Sequence, residues 1–144
     1  MKILPYTFRT FQEKAKLDDI FGEIFVFGKL KEDFDRFSKQ IKEEEPDYVL
    51  GIALANKETR VESIALNRFS GGKTIIKGGS ESMALFIPSG ISFQISRKGS
   101  DSFCNWTMYK LTTFIKECNL PTKLIFIHIA KEDFGFLREL KDIL

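Results

Sequence analysis

EIFVFGKLKEDFDRFSKQIKEEEPDYVLGIALA, residues 23–55, is the stretch whose reading decides the fold. Its two ends, EIFVFG (23–28) and DYVLGIALA (47–55), are apolar runs of strand length. Between them Leu30, Phe34, Phe37 and Ile41 recur at i, i+4, i+7 and i+11, the apolar face of a helix over 30–45. Charged residues fill the other faces. Pro46 disfavours helical backbone at Glu45 and stops the helix there. Three consecutive glutamates at that end oppose the negative end of the helix dipole, which predicts a frayed last turn. A strand–helix–strand unit of this kind normally crosses over between parallel strands of one sheet. The chain is therefore read as α/β.

Working outward, residues 1–5 (MKILP) are a further short strand and RVESIALNRF (60–69) another. SGGKTIIKGGS (70–80), with a glycine pair at each end, reads as a mobile loop or small hairpin. SMALFIP (82–88) and ISFQIS (91–96) are strand-like runs separated by Ser89 and Gly90, the pattern of a hairpin. A polar loop, a helix from about 104 to 118, the strand KLIFIHIA (123–130) and a closing helix at 133–143 complete the chain. The expected architecture is one three-layer α/β/α domain over 1–144, with a mixed, mostly parallel central sheet.

Composition removes several function classes. The chain has 144 residues, about one domain's worth. Lys and Arg number 22 against 20 Asp and Glu, a formal charge of +2, without the basic excess that phosphate-held nucleic-acid binding requires. A single His excludes zinc sites that need two, and two Cys cannot staple a small secreted domain. Neither a signal-like apolar stretch nor a bilayer-length run occurs. The expectation is a cytoplasmic protein with reduced thiols, no cofactor, no metal and no membrane or nucleic-acid partner. Gly72-Lys73-Thr74 imitates the end of a phosphate-binding loop, but that pattern needs Gly where Asn67 stands. Fifteen Phe in so small a domain leave aromatic surface available for self-association into a homo-oligomer.

Three residues carry the chemistry, and each has a plain structural reading beside the functional one. Cys104 opens the helix CNWTMYKLTTFIKEC, where free backbone N–H groups and the dipole favour a thiolate. It also begins a buried stripe with Met108, Leu111, Ile115 and Cys118. The two cysteines are ~21 Å apart along that helix, far beyond the ~5.5 Å of a disulfide. His128 shares a strand face with Leu124 and Phe126, as a satisfied core histidine would, yet it is the chain's only histidine, so any mechanism with an imidazole base must use it. Glu62 shares a face with Ile64 and Leu66, at the wet end of a strand or buried against a partner.

Glu62-Ser-Ile-Ala-Leu-Asn67, Cys104-Asn-Trp-Thr-Met-Tyr109 and Phe126-Ile-His128 stand in this chain order. As E-x-x-A-x-N, C-N-x-x-M-Y and F-I-H, they resemble the motifs of the pyroglutamyl peptidase I family of cysteine peptidases. Tyr6-Thr-Phe8-Arg-Thr-Phe11 is similar to the family's Phe-x-Pro-Phe loop. The resemblance implies an α/β/α fold and a Cys104–His128–Glu62 triad that removes N-terminal pyroglutamyl groups from small peptides. It also implies that Phe8 and Phe11, with Phe103, line the pocket for the lactam ring. The chain departs from the family in length, in the helix reduced to Ser89-Gly90, and at the family's active-site Arg, where Gly72 stands beside Lys73 with Arg68 upstream. The other reading is a degenerate relative that keeps these residues as a non-enzymatic binding or assembly module.

Overall fold

The computed structural model describes residues 1–144. Strand β1 (Ile3–Phe8) is followed by helix α1 (Lys14–Phe21), strand β2 (Phe25–Phe27), helix α2 (Leu30–Glu44) and strand β3 (Tyr48–Leu54). Then come four three-residue strands: β4 (Arg60–Glu62), β5 (Ile64–Leu66), β6 (Ser82–Ala84) and β7 (Gln94–Ser96). Helix α3 (Phe103–Glu117), strand β8 (Lys123–Ile129), a 3-10 turn (Lys131–Asp133) and helix α4 (Phe134–Ile143) close the chain. No helix is long and apolar enough to cross a membrane.

The six-stranded sheet runs β2-β1-β3-β8-β4-β7. All its pairings are parallel except β4 against β8, so the sheet is mixed and mostly parallel. Strand alternation explains the layers. On one face Leu124 and Phe126 of β8 join Phe37 and Ile41 of α2 and Met108, Leu111 and Ile115 of α3 in one core. On the other, Ile125, Ile127 and Ile129 pack with Leu17 and Ile20 of α1 and Leu137 and Leu140 of α4. Each wholly buried aliphatic or aromatic side chain contributes about 1.5–3 kcal/mol. Two such faces are what make a thin sheet stable. In the row Tyr6–Gly51–Phe126 the central strand carries glycine because a Cβ there would collide with both aromatic rings.

Four expectations change. The helix over 30–45 does not lose its last turn. Glu44 pairs with Lys2 at 3.0 Å, while Glu45 turns into the left-handed region (φ 44°) and donates its N–H to Ile41 O at 2.8 Å. The single strand expected over 60–69 divides at Ser63, whose N–H and hydroxyl both reach Ser96 O, at 3.0 and 2.6 Å. Consequently β4 belongs to the main sheet and β5 to a separate ribbon. The hairpin expected from 82–88 and 91–96 does not form: β6 pairs antiparallel with β5, and β7 pairs parallel with β4. The glycine-rich loop 70–80 is pinned by Asn67, which accepts from the N–H groups of Ile75 (2.9 Å) and Ile76 (2.8 Å) and donates to Ile76 O (2.8 Å). Helix α1 had no counterpart in the sequence reading.

Candidate active site

Register brings the polar residues together. Ala53 of β3 lies opposite His128 of β8, His128 opposite Arg60 of β4, and Arg60 opposite Gln94 of β7. These four residues form a row across four strands, and all four line one cavity of about 850 Å³. Glu62, two residues along β4, faces the same way as Arg60. Its Oε1 accepts from His128 Nδ1 at 3.0 Å and from Arg60 Nε at 2.8 Å.

Burial pushes the Glu62 carboxyl up, but it is outweighed by the His128 hydrogen bond and charge and by those of Arg60. The group is held below its ordinary value. An ionised Glu62 can only accept, so Nδ1 carries the proton and donates, which leaves Nε2 as the accepting nitrogen of neutral His128. His128 is mostly buried, with its side chain 13% exposed.

Cys104 enters from the α3 layer as the second residue of that helix. Ser102 is the N-cap, its Oγ accepting from Asn105 N at 3.3 Å. Asn105 fixes the same turn to β5: its side chain accepts from Leu66 N (2.8 Å) and donates to Leu66 O and Arg68 O (both 2.9 Å). Beneath it, Tyr6 Oη lies 3.0 Å from Thr107 Oγ1, which donates to Cys104 O at 2.8 Å. Cys104 is 5% exposed and lines the same cavity as His128 and Glu62.

The thiolate expected at this helix start is not favoured. Burial first, and then the Glu62 charge, push the thiol up to about 12, against weaker opposing effects from Arg60 and the Ser102 hydroxyl. Desolvation of the anion exceeds what one helix turn returns. No hydrogen bond joins Cys104 Sγ to His128. The buried stripe is also real, with Met108, Leu111 and Ile115 all buried.

Aromatic residues close one end of the cavity. Phe8, Phe11 and Phe103 all line it. Phe8 and Phe103 meet edge to face at 4.7 Å, and Phe11 stacks on Phe134 at 5.9 Å. Phe103 is 39% exposed, an apolar side chain at the cavity mouth.

Comparison with solved structures gives close matches at low identity. A pyrrolidone carboxyl peptidase from Thermococcus litoralis superposes with a TM-score of 0.76 at 20% identity, covering 90% of this chain and 77% of that one. Pyroglutamyl peptidase I from Bacillus amyloliquefaciens gives 0.76 at 17% identity, over 99% of this chain and 91% of that one. A variant of the Pyrococcus furiosus pyrrolidone carboxyl peptidase gives 0.75 at 19%, over 99% and 95%. The chain has the pyrrolidone carboxyl peptidase fold. No family model matches the sequence, and no curated protein matches it.

All six residues singled out from the sequence thus reach the wall of one cavity. The two cations suggested near the missing Arg do not. Lys73 sits exposed on the turn after Phe69, and Arg68 lines a separate cavity with Asn67 and Glu81. The cavity's own cations are Arg60, Arg97 and Lys98, and of these Arg60 is the one bonded to Glu62. Its signal was present in the sequence, because residues two apart on a strand share a face, so Arg60 had to accompany Glu62. Ser102 and Asn105 were also missed. A polar residue ahead of a helix is a visible N-cap, but nothing local says which strand a helix-buried Asn will hold.

Proposed function

We propose that this chain is a cysteine peptidase of the pyroglutamyl peptidase type, hydrolysing the amide bond that follows an N-terminal pyroglutamyl group. The observation that carries this reading is the Glu62 Oε1–His128 Nδ1 hydrogen bond of 3.0 Å, in the cavity whose opposite wall presents Cys104 at the start of α3. The likeness of fold to pyrrolidone carboxyl peptidases supports it.

The lactam ring sits among Phe8, Phe11 and Phe103, flat and uncharged against aromatic walls. Cys104 Sγ attacks the acyl carbon. Because its thiol is pushed up to about 12, Cys104 does not attack as a preformed thiolate. His128 Nε2 takes the proton as the C–S bond forms. The oxyanion meets the backbone N–H groups of Phe103 and Cys104 in the first turn of α3, that of Asn105 being held by Ser102 Oγ. His128 then gives its proton to the leaving nitrogen, the C–N bond breaks, and a thioester remains on Cys104. Water, deprotonated by His128, attacks the thioester and frees pyroglutamate and the thiol. Glu62 holds the imidazole in the tautomer this sequence of transfers needs and stabilises the imidazolium.

Hydrolysis of a chromogenic pyroglutamyl amide under reducing conditions tests the reading. The wild type is expected to release the chromophore, and Cys104→Ser to be inactive. Absence of release by wild type, or equal release by Cys104→Ser, would refute it. One observation favours the other reading, a relative that binds without turnover: Cys104 is buried with its thiol raised and makes no bond to His128. Such a protein would bind a pyroglutamyl peptide and release it unchanged.

A further inference from the structure

The order of strands gives the cavity two unlike ends. Moving across the sheet from β1, its wall presents Phe8, then Ala53, His128, Arg60 and Gln94, and beyond β7 the exposed Arg97 and Lys98. His128 stands in the middle. The aromatic residues lie toward β1, and every cation of the cavity lies on the far side of His128. These are three cations against a single carboxylate, Glu62, an excess equal to the formal +2 of the whole chain. That carboxylate is already engaged by Arg60 and His128 through one oxygen. Arg60 bonds Glu62 through Nε, while its two terminal nitrogens bond no protein group, and neither Arg97 nor Lys98 is in an ion pair.

We propose that the leaving-group end of this cavity recognises a carboxylate, so that the preferred substrates carry a negative charge on the residue after the scissile bond. This rests on the reading above, which seats the lactam among the aromatics and has His128 protonate the leaving nitrogen. The residue that departs must then lie on the β4–β7 side. Adjacent strands are about 4.8 Å apart, so Arg60 is one strand spacing from His128. A backbone carboxylate is two bonds from the leaving nitrogen, within reach of the free edge of the Arg60 guanidinium. An acidic side chain extends further, toward Arg97 and Lys98. Arginine offers a planar pair of donors matched to a carboxylate. An uncharged leaving group would leave Arg97 and Lys98 without a counter-charge.

Three substrates separate the sources of the charge: pyroglutamyl-alanine, its C-terminal amide, and pyroglutamyl-glutamate amide. A hydrogen-bonded charge contact predicts that each anionic substrate exceeds the neutral amide about tenfold in kcat/KM, mainly through KM, and less so at high salt. Preference for pyroglutamyl-alanine alone assigns the site to a free C-terminus, and preference for the glutamate amide alone assigns it to an acidic side chain. The double variant Arg97→Gln/Lys98→Gln, changed only at exposed positions, should narrow the preference for the glutamate amide while turning over the neutral amide at the wild-type rate. Equal rates for all three substrates, or a preference for the glutamate amide untouched by the double variant, would overturn the proposal and leave the peptidase reading standing. If no substrate is turned over, titration of Cys104→Ser with pyroglutamyl-alanine and its amide decides separately. Tighter binding of the acid than of the amide supports the carboxylate site while the peptidase reading fails. Equal binding sinks both.

Discussion

Glu62 acts on its two neighbours in opposite directions. Its Oε1 accepts from His128 Nδ1 at 3.0 Å, the bond on which the proposed proton transfer rests, while its charge helps raise the Cys104 thiol to about 12. Glu62→Gln should therefore separate reactivity from catalysis. With the charge removed the thiol becomes more acidic, so alkylation of Cys104 by iodoacetamide at mildly alkaline pH should be faster than in wild type. Turnover should fall by about a hundredfold or more, because the imidazole loses its orienting acceptor. Parallel loss of both would show that Glu62 is structural support only. At this scale the sequence was informative about identity and silent about environment. Strand alternation on Arg60, Glu62 and His128 places all three on cavity-facing positions. Cys104 is buried in a core it shares with Tyr6, Phe8 and Ala65, all distant in sequence, so the helix-start expectation of a thiolate had no desolvation to set against it.

Elements hold the site through a few polar staples. Asn105 is wholly buried and makes three hydrogen bonds to the backbone of Leu66 and Arg68, fixing the first turn of α3, and with it Cys104, to β5. Asn105→Ala removes the partner of one donor and two acceptors, at roughly 1–3 kcal/mol for each that water does not reach. The expected result is a thermal midpoint lowered by many degrees and a Cys104 that alkylates faster as the turn loosens. An unchanged midpoint would show that the staple carries no load. Long elements with a clear period, α2, α3, β3 and β8, were legible from sequence. The bounds and pairing partners of the three-residue strands β4 to β7 were not. SMALFIP-Ser89-Gly90-ISFQIS has every local mark of a hairpin, yet Ser63 diverts the chain so that β4 and β5 each capture one of the two runs. Pairing partners are a tertiary choice that turn residues cannot reveal. Helix α1 escaped notice because eight residues bury only Leu17 and Ile20, too few for a period to stand out.

For the whole molecule, the two cores on either side of one sheet follow from alternation in KLIFIHIA, where every second residue goes to the opposite layer. His128 interrupts that pattern at the open end of the sheet, where the cores stop and the cavity begins. The pairing there contributes to stability with a defined sign. Glu62 is held below its ordinary carboxyl value of 4.5, so the folded state favours the ionised form. That stabilisation is complete above about 4.5 and is lost as pH falls through the depressed value. Denaturant midpoints measured from neutral to acid pH should therefore drop less steeply in Glu62→Gln than in wild type, and superimposable curves would argue against the pairing. On the proposed mechanism Cys104 becomes acylated by a pyroglutamyl group, and that acylation can be read directly. Wild-type protein mixed with a pyroglutamyl amide and quenched in acid within milliseconds should show, by mass spectrometry, a pyroglutamyl thioester mapped to Cys104 and absent from Cys104→Ser. Unmodified Cys104 at every quench time while product forms, or an acyl group found on Cys118, would contradict it.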